Sequence, residues 1–256
     1  ELITQSTVQK FITENLTVDI QKLALKKNPF PEIDFKVIIN QIHAKQKAKT
    51  KLPTWFRTEN IIFPSVLSIE QTSSELLADF KSKLISGNKI IDLTGGFGVD
   101  AYYFAKNFKE VFHCEFNEEL SDIVQNNAKY LKLTNLKTFK GDSIQTLSLL
   151  NEKFDWIYID PARRTDTKQK VFLLKDCTPN VPENLEIYFQ YSDQILIKTA
   201  PILDISAGIA ELNFVKKIYI ISLENEVKEL LWVLEKDFKE KVEVEAINIS
   251  KTGTYT

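Results

Sequence analysis

Asn88-Lys89-Ile90-Ile91-Asp92-Leu93-Thr94-Gly95-Gly96-Phe97-Gly98-Val99-Asp100 runs from an apolar stretch into three closely spaced glycines and back to apolar sequence. Lys89–Leu93 reads as a short buried strand, and the glycines let the backbone turn sharply and approach a ligand with no Cβ in the way. A helix is predicted over about 99–107. Outward from this point the chain alternates. Strands are predicted at Glu110–Glu115, Leu136–Lys140, Phe154–Ile159, Gln194–Thr199 and Lys217–Ser222. Helical spacing (Leu120, Ile123, Val124, Ala128, Leu131) and the short apolar runs at Ile144–Leu150 and near 203–210 fall between them. Val227–Leu234 fits either a strand or a helix, and Lys241–Ile249 alternates like a strand. Such alternation predicts an α/β doubly wound, Rossmann-like parallel sheet covered by helices on both faces.

Ligands of such sheets bind beyond the carboxyl ends of the strands, so the residues just after each strand are the informative ones. After the first come Asp92, Thr94, Gly95, Gly96 and Gly98; after the second Glu115, 19 residues beyond Gly96, placed to accept from two ribose hydroxyls. After the third come Gly141, Asp142 and Ser143, where a carboxylate suits an adenine amine, and after the fourth Asp160-Pro161-Ala162-Arg163. Each is weak alone; in this order, each behind its own strand, they are hard to reach by accident.

The set resembles the class I S-adenosylmethionine (SAM)-dependent methyltransferases over roughly residues 70–234. The resemblance implies a seven-stranded methyltransferase sheet, with Gly95, Gly96 and Gly98 against the methionine part of SAM and Glu115 on the ribose. It also implies Asp142 at adenine, with Phe116, Ser143 and Asp160 completing the cofactor site. The wider pattern is similar to a bacterial family that joins this domain to a C-terminal THUMP-like module and, more distantly, to trimethylguanosine synthase. In that family the helix opened by Gln71-Thr72-Ser73 lies near the cofactor mouth; no THUMP-like module is evident here. The competing cofactor is NAD, since Gly96-Phe97-Gly98-Val99-Asp100-Ala101 fits Gly-x-Gly-x-x-Ala. That reading leaves Asp160-Pro161 unexplained and offers no hydride-transfer acid or base.

Methyl transfer to nitrogen needs the acceptor's lone pair aimed at the methyl, which Asp160 is placed to do by accepting the amine's protons. Pro161 stiffens that turn. Amino-methyltransferases of adenine and guanine carry Asp/Asn-Pro-Pro-aromatic, whereas this chain has Ala162 and Arg163 there. The Arg163 guanidinium plane can itself lie on a base. The covalent route to uridine C5 needs a nucleophilic cysteine. Cys114 reads as core filler inside a strand and Cys177 as an inert thiol, so that route is disfavoured.

An RNA substrate is favoured by residues 43–57, which hold five cations, no acid and the pair Trp55-Phe56. In one reading Lys47, Lys49 and Lys51 neutralise phosphates while Trp55 stacks on a base. In the other this is a solvated basic helix end with its aromatics packed inward. Arg163, Arg164 and Lys168 add positive charge beside Asp160. Lys198, after the fifth strand, fits either a salt bridge or a substrate contact. A methyltransferase for a small molecule or protein, and a non-catalytic RNA-binding protein, remain as alternatives.

Composition narrows the rest. No apolar run approaches the roughly 20 residues that span a bilayer, and two cysteines with two histidines leave no metal site of those ligands and point to a reducing cytoplasm. The expected division is a helical region 1–70 that docks substrate, a methyltransferase domain 71–234, and 235–256 as a C-terminal strand or the start of a further module. The absence of methionine and the ending at Thr256 suggest a piece of a longer chain. Ahead of the first strand, Thr72-Ser73-Ser74-Glu75 is predicted to open a helix as a capping box with Leu76, Leu77, Phe80 and Leu84 inward.

Overall fold

The computed structural model describes residues 2–163 and 173–250, together with the backbone of 253–255. The strands are β1 (Lys89–Asp92), β2 (Glu110–Glu115), β3 (Leu136–Lys140), β4 (Trp156–Ile159), β5 (Ala162–Arg163) and β6 (Cys177–Thr178). They continue with β7 (Gln194–Thr199), β8 (Val215–Leu223), β9 (Glu226–Glu235), β10 (Glu243–Ser250) and β11 (Gly253–Tyr255). Nine of them form one sheet in the order β11-β10-β8-β9-β7-β4-β1-β2-β3, and β5 pairs with β6. The strands from β3 to β7 run parallel, while β9 lies antiparallel between β7 and β8.

The expected seven-stranded sheet is therefore the run from β3 to β8, extended by two strands: β10 parallel to β8, and β11 antiparallel to β10. Residues 227–234 resolve as strand because Glu224 and Asn225 both take positive φ (51° and 65°) and turn the chain straight back. A two-residue turn of that hand matches the twist of paired strands.

The helices are α1 (Ser6–Glu14), α2 (Ile20–Ala24), α3 (Phe35–Lys51), α4 (Pro53–Arg57), α5 (Val66–Gln71) and α6 (Glu75–Leu84). After the glycine turn come α7 (Val99–Phe104), α8 (Glu118–Tyr130), α9 (Ser143–Leu150), α10 (Val181–Tyr188) and α11 (Ile205–Glu211). Side-chain caps start most of them: Asp34, Asn117, Asp142, Asn180 and Asp204 each accept from a backbone N–H of the first turn. The capping-box expectation is corrected. Ser74 caps α6, and Glu75 turns inward to accept from the Thr54 N–H (2.5 Å), the Thr54 hydroxyl (2.7 Å) and the Tyr103 hydroxyl (2.7 Å). Leu76 is exposed rather than inward, because Leu77 and Ala78 hold the buried face.

One face of the sheet packs Ile91, Phe112, Ile157, Ile197 and Trp232 under α9, α10 and α11; the other packs Ile90, Val111, Tyr158, Leu196 and Leu231 under α6 and α7. A third cluster joins Ala44, Ala48 and Trp55 to Phe97, Val99 and Tyr103, so α3 and α4 close over the glycine turn. The first two helices pack on the start of α3 through Val8, Ile12, Leu23, Ile38 and Ile42.

Candidate cofactor and methyl-transfer site

Strand order reverses between β1 and β4, and this crevice is where the glycine turn and Asp160 meet. The turn is shaped by what lies beneath it. A Cβ on Gly95 would fall 2.2 Å from Nε2 of His113, a fully buried ring, so only glycine fits. Gly96 and Gly98 take φ of 54° and 75°, the left-handed region. Asp92, buried at the end of β1, accepts from the Thr94 N–H at 3.0 Å. Burial first, and then the nearby Asp100, Asp160 and Glu115, hold its carboxyl well above the ordinary carboxylate range. The Thr94 hydroxyl in turn accepts from the Asp160 N–H at 2.6 Å, which ties the ends of β1 and β4 together.

Glu115 ends β2 with one oxygen accepting from the Gly96 N–H and the other from the Asn117 N–H, each at 2.8 Å. A carboxylate has about four lone-pair positions, so two hydroxyls can still be received. Asp142 caps α9 through Oδ1, accepting from Ile144 (2.9 Å) and Gln145 (3.0 Å); Oδ2 is not used in the cap. Phe116, 78% exposed, stands beside Glu115 as a free aromatic face. Ser143 is buried below Asp142.

These residues line one cavity of about 780 Å³: Thr94, Gly95, Gly96, Glu115, Phe116, Asp142, Ser143 and Asp160. Sequence reasoning missed its far wall, Thr178–Asn180 with Glu183 and Asn184 at the start of α10. A signal was present, since Asn180-Val181-Pro182-Glu183 has the polar cap, early proline and third-position acid of a helix start. Gln71, Thr72 and Ser73 complete the near wall.

Asp160 is half-buried, and its Oδ2 pairs with the Lys198 ammonium at 2.5 Å. Burial works against the Lys198 charge, but Asp160, Glu229 and Asp100 outweigh it and raise its pKa above the ordinary lysine range. Behind the pair lies a second charge cluster. Lys81, fully buried, reaches Asp100 (3.1 Å), Glu229 (3.3 Å), Ser73 (3.1 Å) and the Tyr158 hydroxyl (3.2 Å). Asp100 also accepts from Ser73 and Tyr158, each at 3.0 Å.

The structure divides the acceptor-side expectations. Trp55 is 1% exposed and packs on Tyr102 (4.9 Å between centroids) and Phe97 (6.1 Å), so stacking on a base is corrected to a core role. Lys47 pairs with Glu70 at 3.1 Å, Lys49 is exposed, and Lys51 donates to the Glu70 carbonyl at 2.6 Å. Pro161 is buried and Arg163 exposed on β5, with Ala162 rather than Arg163 lining the cavity. Arg164 and Lys168 lie outside the described residues. Cys114 and Cys177 are both buried, and burial pushes the Cys114 thiol up to about 11. Among the described residues no group of three acidic, histidine or cysteine side chains is placed to hold a metal ion, and no helix is long and apolar enough to cross a membrane.

Residues 64–213 match the model of a protein family described as "Conserved hypothetical protein 95". The chain belongs to this family. The matched span holds the glycine turn, Glu115, Asp142, Asp160 and Lys198. The fold as a whole is similar to that of a "putative methyltransferase" from Porphyromonas gingivalis W83, at 28% identity and a TM-score of 0.83. That likeness covers 95% of this chain and 61% of the other. Among curated proteins, a "Probable cobalt-precorrin-6B C(15)-methyltransferase (decarboxylating)" of Saccharolobus solfataricus is 33% identical over 97 residues, 36% of this chain and 49% of that protein. The chain thus spans about half the length of that curated relative. Both relatives are named as methyltransferases, and the residues here fit SAM rather than NAD: a glycine cradle that Cβ atoms would obstruct, an acid with two open lone-pair positions, and an exposed aromatic face beside that acid.

Proposed function

We propose that this chain is the catalytic part of a SAM-dependent methyltransferase that acts on a base nitrogen of RNA. The observation carrying this reading is the position of Asp160. Its carboxylate ends β4 in the same cavity as the glycine turn and Glu115, with Oδ2 held by Lys198. Oδ1 has no hydrogen-bond donor among the described residues, and we assign it to the acceptor. The bound cofactor supplies an electrophilic methyl group. Asp160 accepts the acceptor's N–H and so directs the nitrogen lone pair, a gain in orientation rather than in bonding. The Thr94 hydroxyl fixes the backbone of Asp160, and Lys198 fixes its side chain. Glu115 holds the ribose and Asp142 the adenine. Arg163 and the exposed Lys49 supply positive charge for phosphates.

A second reading is a small-molecule acceptor. Two observations favour it: the burial of Trp55 removes one stacking surface for RNA, and the curated relative is named for a cobalt-precorrin.

Calorimetric titration with SAM tests the cofactor site: Glu115→Ala weakens binding strongly, and Asp160→Asn leaves it largely intact. Methyl transfer from labelled SAM to unfractionated RNA tests the rest. Asp160→Asn abolishes it; equal transfer by that variant refutes the role of Asp160. Binding to RNA that falls steeply with salt belongs to the first reading, and salt-insensitive or absent binding belongs to the second.

A further inference from the structure

A second cavity, of about 1000 Å³, lies on the other side of the Asp160–Lys198 pair. Gln71, Thr72 and Ser73 line both cavities and form the partition between them. Lys198 spans it, since its ammonium holds Asp160 of the first cavity while the residue lines the second.

The charges of this second cavity are unequally satisfied. Its acids are engaged: Glu70 with Lys47, Asp79 with Lys83, Glu229 with Lys81, and Glu75 with Thr54 and Tyr103. Glu224 is exposed at the tip of the β8–β9 turn. Three of its lysines, Lys51, Lys198 and Lys228, lie close enough together to interact electrostatically. Lys198 is neutralised by Asp160, and Lys228 by Glu226 at 2.6 Å. Lys51 has only a carbonyl oxygen, that of Glu70, and no carboxylate within ion-pair distance among the described residues. Partial burial, then the repulsion of Lys198 and, more weakly, of Lys228, hold its pKa below the ordinary lysine value against the attraction of the Glu70 carboxylate. A half-buried cation that shares a cavity with two others is a local cost in the folded protein, and an anion brought among them relieves it.

We propose that this second cavity is a phosphate subsite for the acceptor, in which a phosphate of a nucleotide strand sits between Lys51, Lys228 and Lys198. The attached base reaches Asp160 across the partition formed by Gln71–Ser73. This rests on the RNA reading above, and it replaces the buried Trp55 with a different RNA contact from the same basic stretch. Lys198 then has two roles, anchoring Asp160 and meeting the phosphate, so that acceptor docking and acceptor orientation share one side chain.

The test uses inorganic phosphate as probe and lysine acylation mapped by mass spectrometry as readout. At matched ionic strength, phosphate slows acylation of Lys51 several-fold relative to chloride and leaves the exposed Lys49 unchanged; Lys228→Gln removes that protection. Equal effects of phosphate and chloride on Lys51 overturn the subsite. Transfer to RNA separates it from the function it rests on. If RNA is methylated, Lys51→Gln raises KM with kcat unchanged and lowers the salt slope of binding by about 1. RNA methylation with KM and slope both unaltered sinks the subsite and leaves the RNA reading standing. Specific protection by phosphate without RNA methylation supports the subsite and shifts the acceptor to another phosphorylated compound.

Discussion

Replacing Lys81 with methionine removes a buried charge of nearly equal length and leaves two carboxylates behind. Lys81 and Glu229 are 0% and 1% exposed and Asp100 is 11% exposed at its side chain. The two acids fare differently. Asp100 loses the Lys81 ion pair at Oδ1 but keeps two hydroxyl donors on Oδ2, from Ser73 and Tyr158. Glu229 already has one buried oxygen without a partner and loses the donor on the other. Breaking a buried pair from one side costs about 3–5 kcal/mol, because the remaining charge is uncompensated. Lys81→Met is therefore expected to lose about that much in urea unfolding, and Lys81→Met with Glu229→Gln to recover at least about 2 kcal/mol of it.

The pH dependence has a definite sign. Burial raises the Glu229 pKa, while Lys81 and Lys198 oppose the rise; without Lys81 it goes higher. A carboxyl whose folded pKa lies above its unfolded value contributes stability below the unfolded value and loses it as pH rises through the folded one. The deficit of Lys81→Met therefore shrinks as pH falls toward the ordinary glutamate range. A loss below about 1 kcal/mol, or a deficit independent of pH, refutes the account of this cluster.

Three further outcomes follow from single contacts. Gly95→Ala places a Cβ 2.2 Å from the buried His113 ring; it is expected to cost about 1–3 kcal/mol in thermal or urea unfolding and to weaken SAM binding by calorimetry. Trp55→Ala empties a core site between α4 and α7 and should cost about 3–5 kcal/mol, with RNA affinity of the folded fraction little changed; intact stability with lost RNA affinity would restore the stacking role. Cys114, with its thiol pushed up to about 11, should resist iodoacetamide at neutral pH in the folded protein and react only on unfolding or as pH approaches that value.

The parallel half of the fold was legible because β1, β2 and β4 are short, largely apolar runs ended by acid, β3 is closed by Gly141, and helical spacing separates them. The antiparallel return was not. Residues 227–234 lack a clean period, and Glu224-Asn225 carries none of the glycine that marks a tight hairpin, although the chain adopts its positive φ. The cofactor side of the site was readable because its residues follow strand ends. The acceptor side was not, because it is assembled by tertiary packing: α3, α4 and the α5–α6 junction come to the sheet through apolar contacts that no local spacing announces. Trp55 shows the same limit, since an aromatic in a basic run has the same sequence whether it faces RNA or Phe97. Lys81 gave no signal at all, lying on a helix whose neighbouring lysine, Lys83, is an ordinary exposed one.

Glu115 closes each of its oxygens on a backbone N–H of a different segment, one in the glycine turn and one at the start of α8. The acid is thus locked into the architecture before any ligand arrives, and binding needs no rotamer search there. Cofactor affinity should accordingly change little with loop mobility and track the integrity of the β1–β2 edge. Mild destabilisation elsewhere in the sheet, such as at β10 or β11, leaves a protein that still captures its methyl donor.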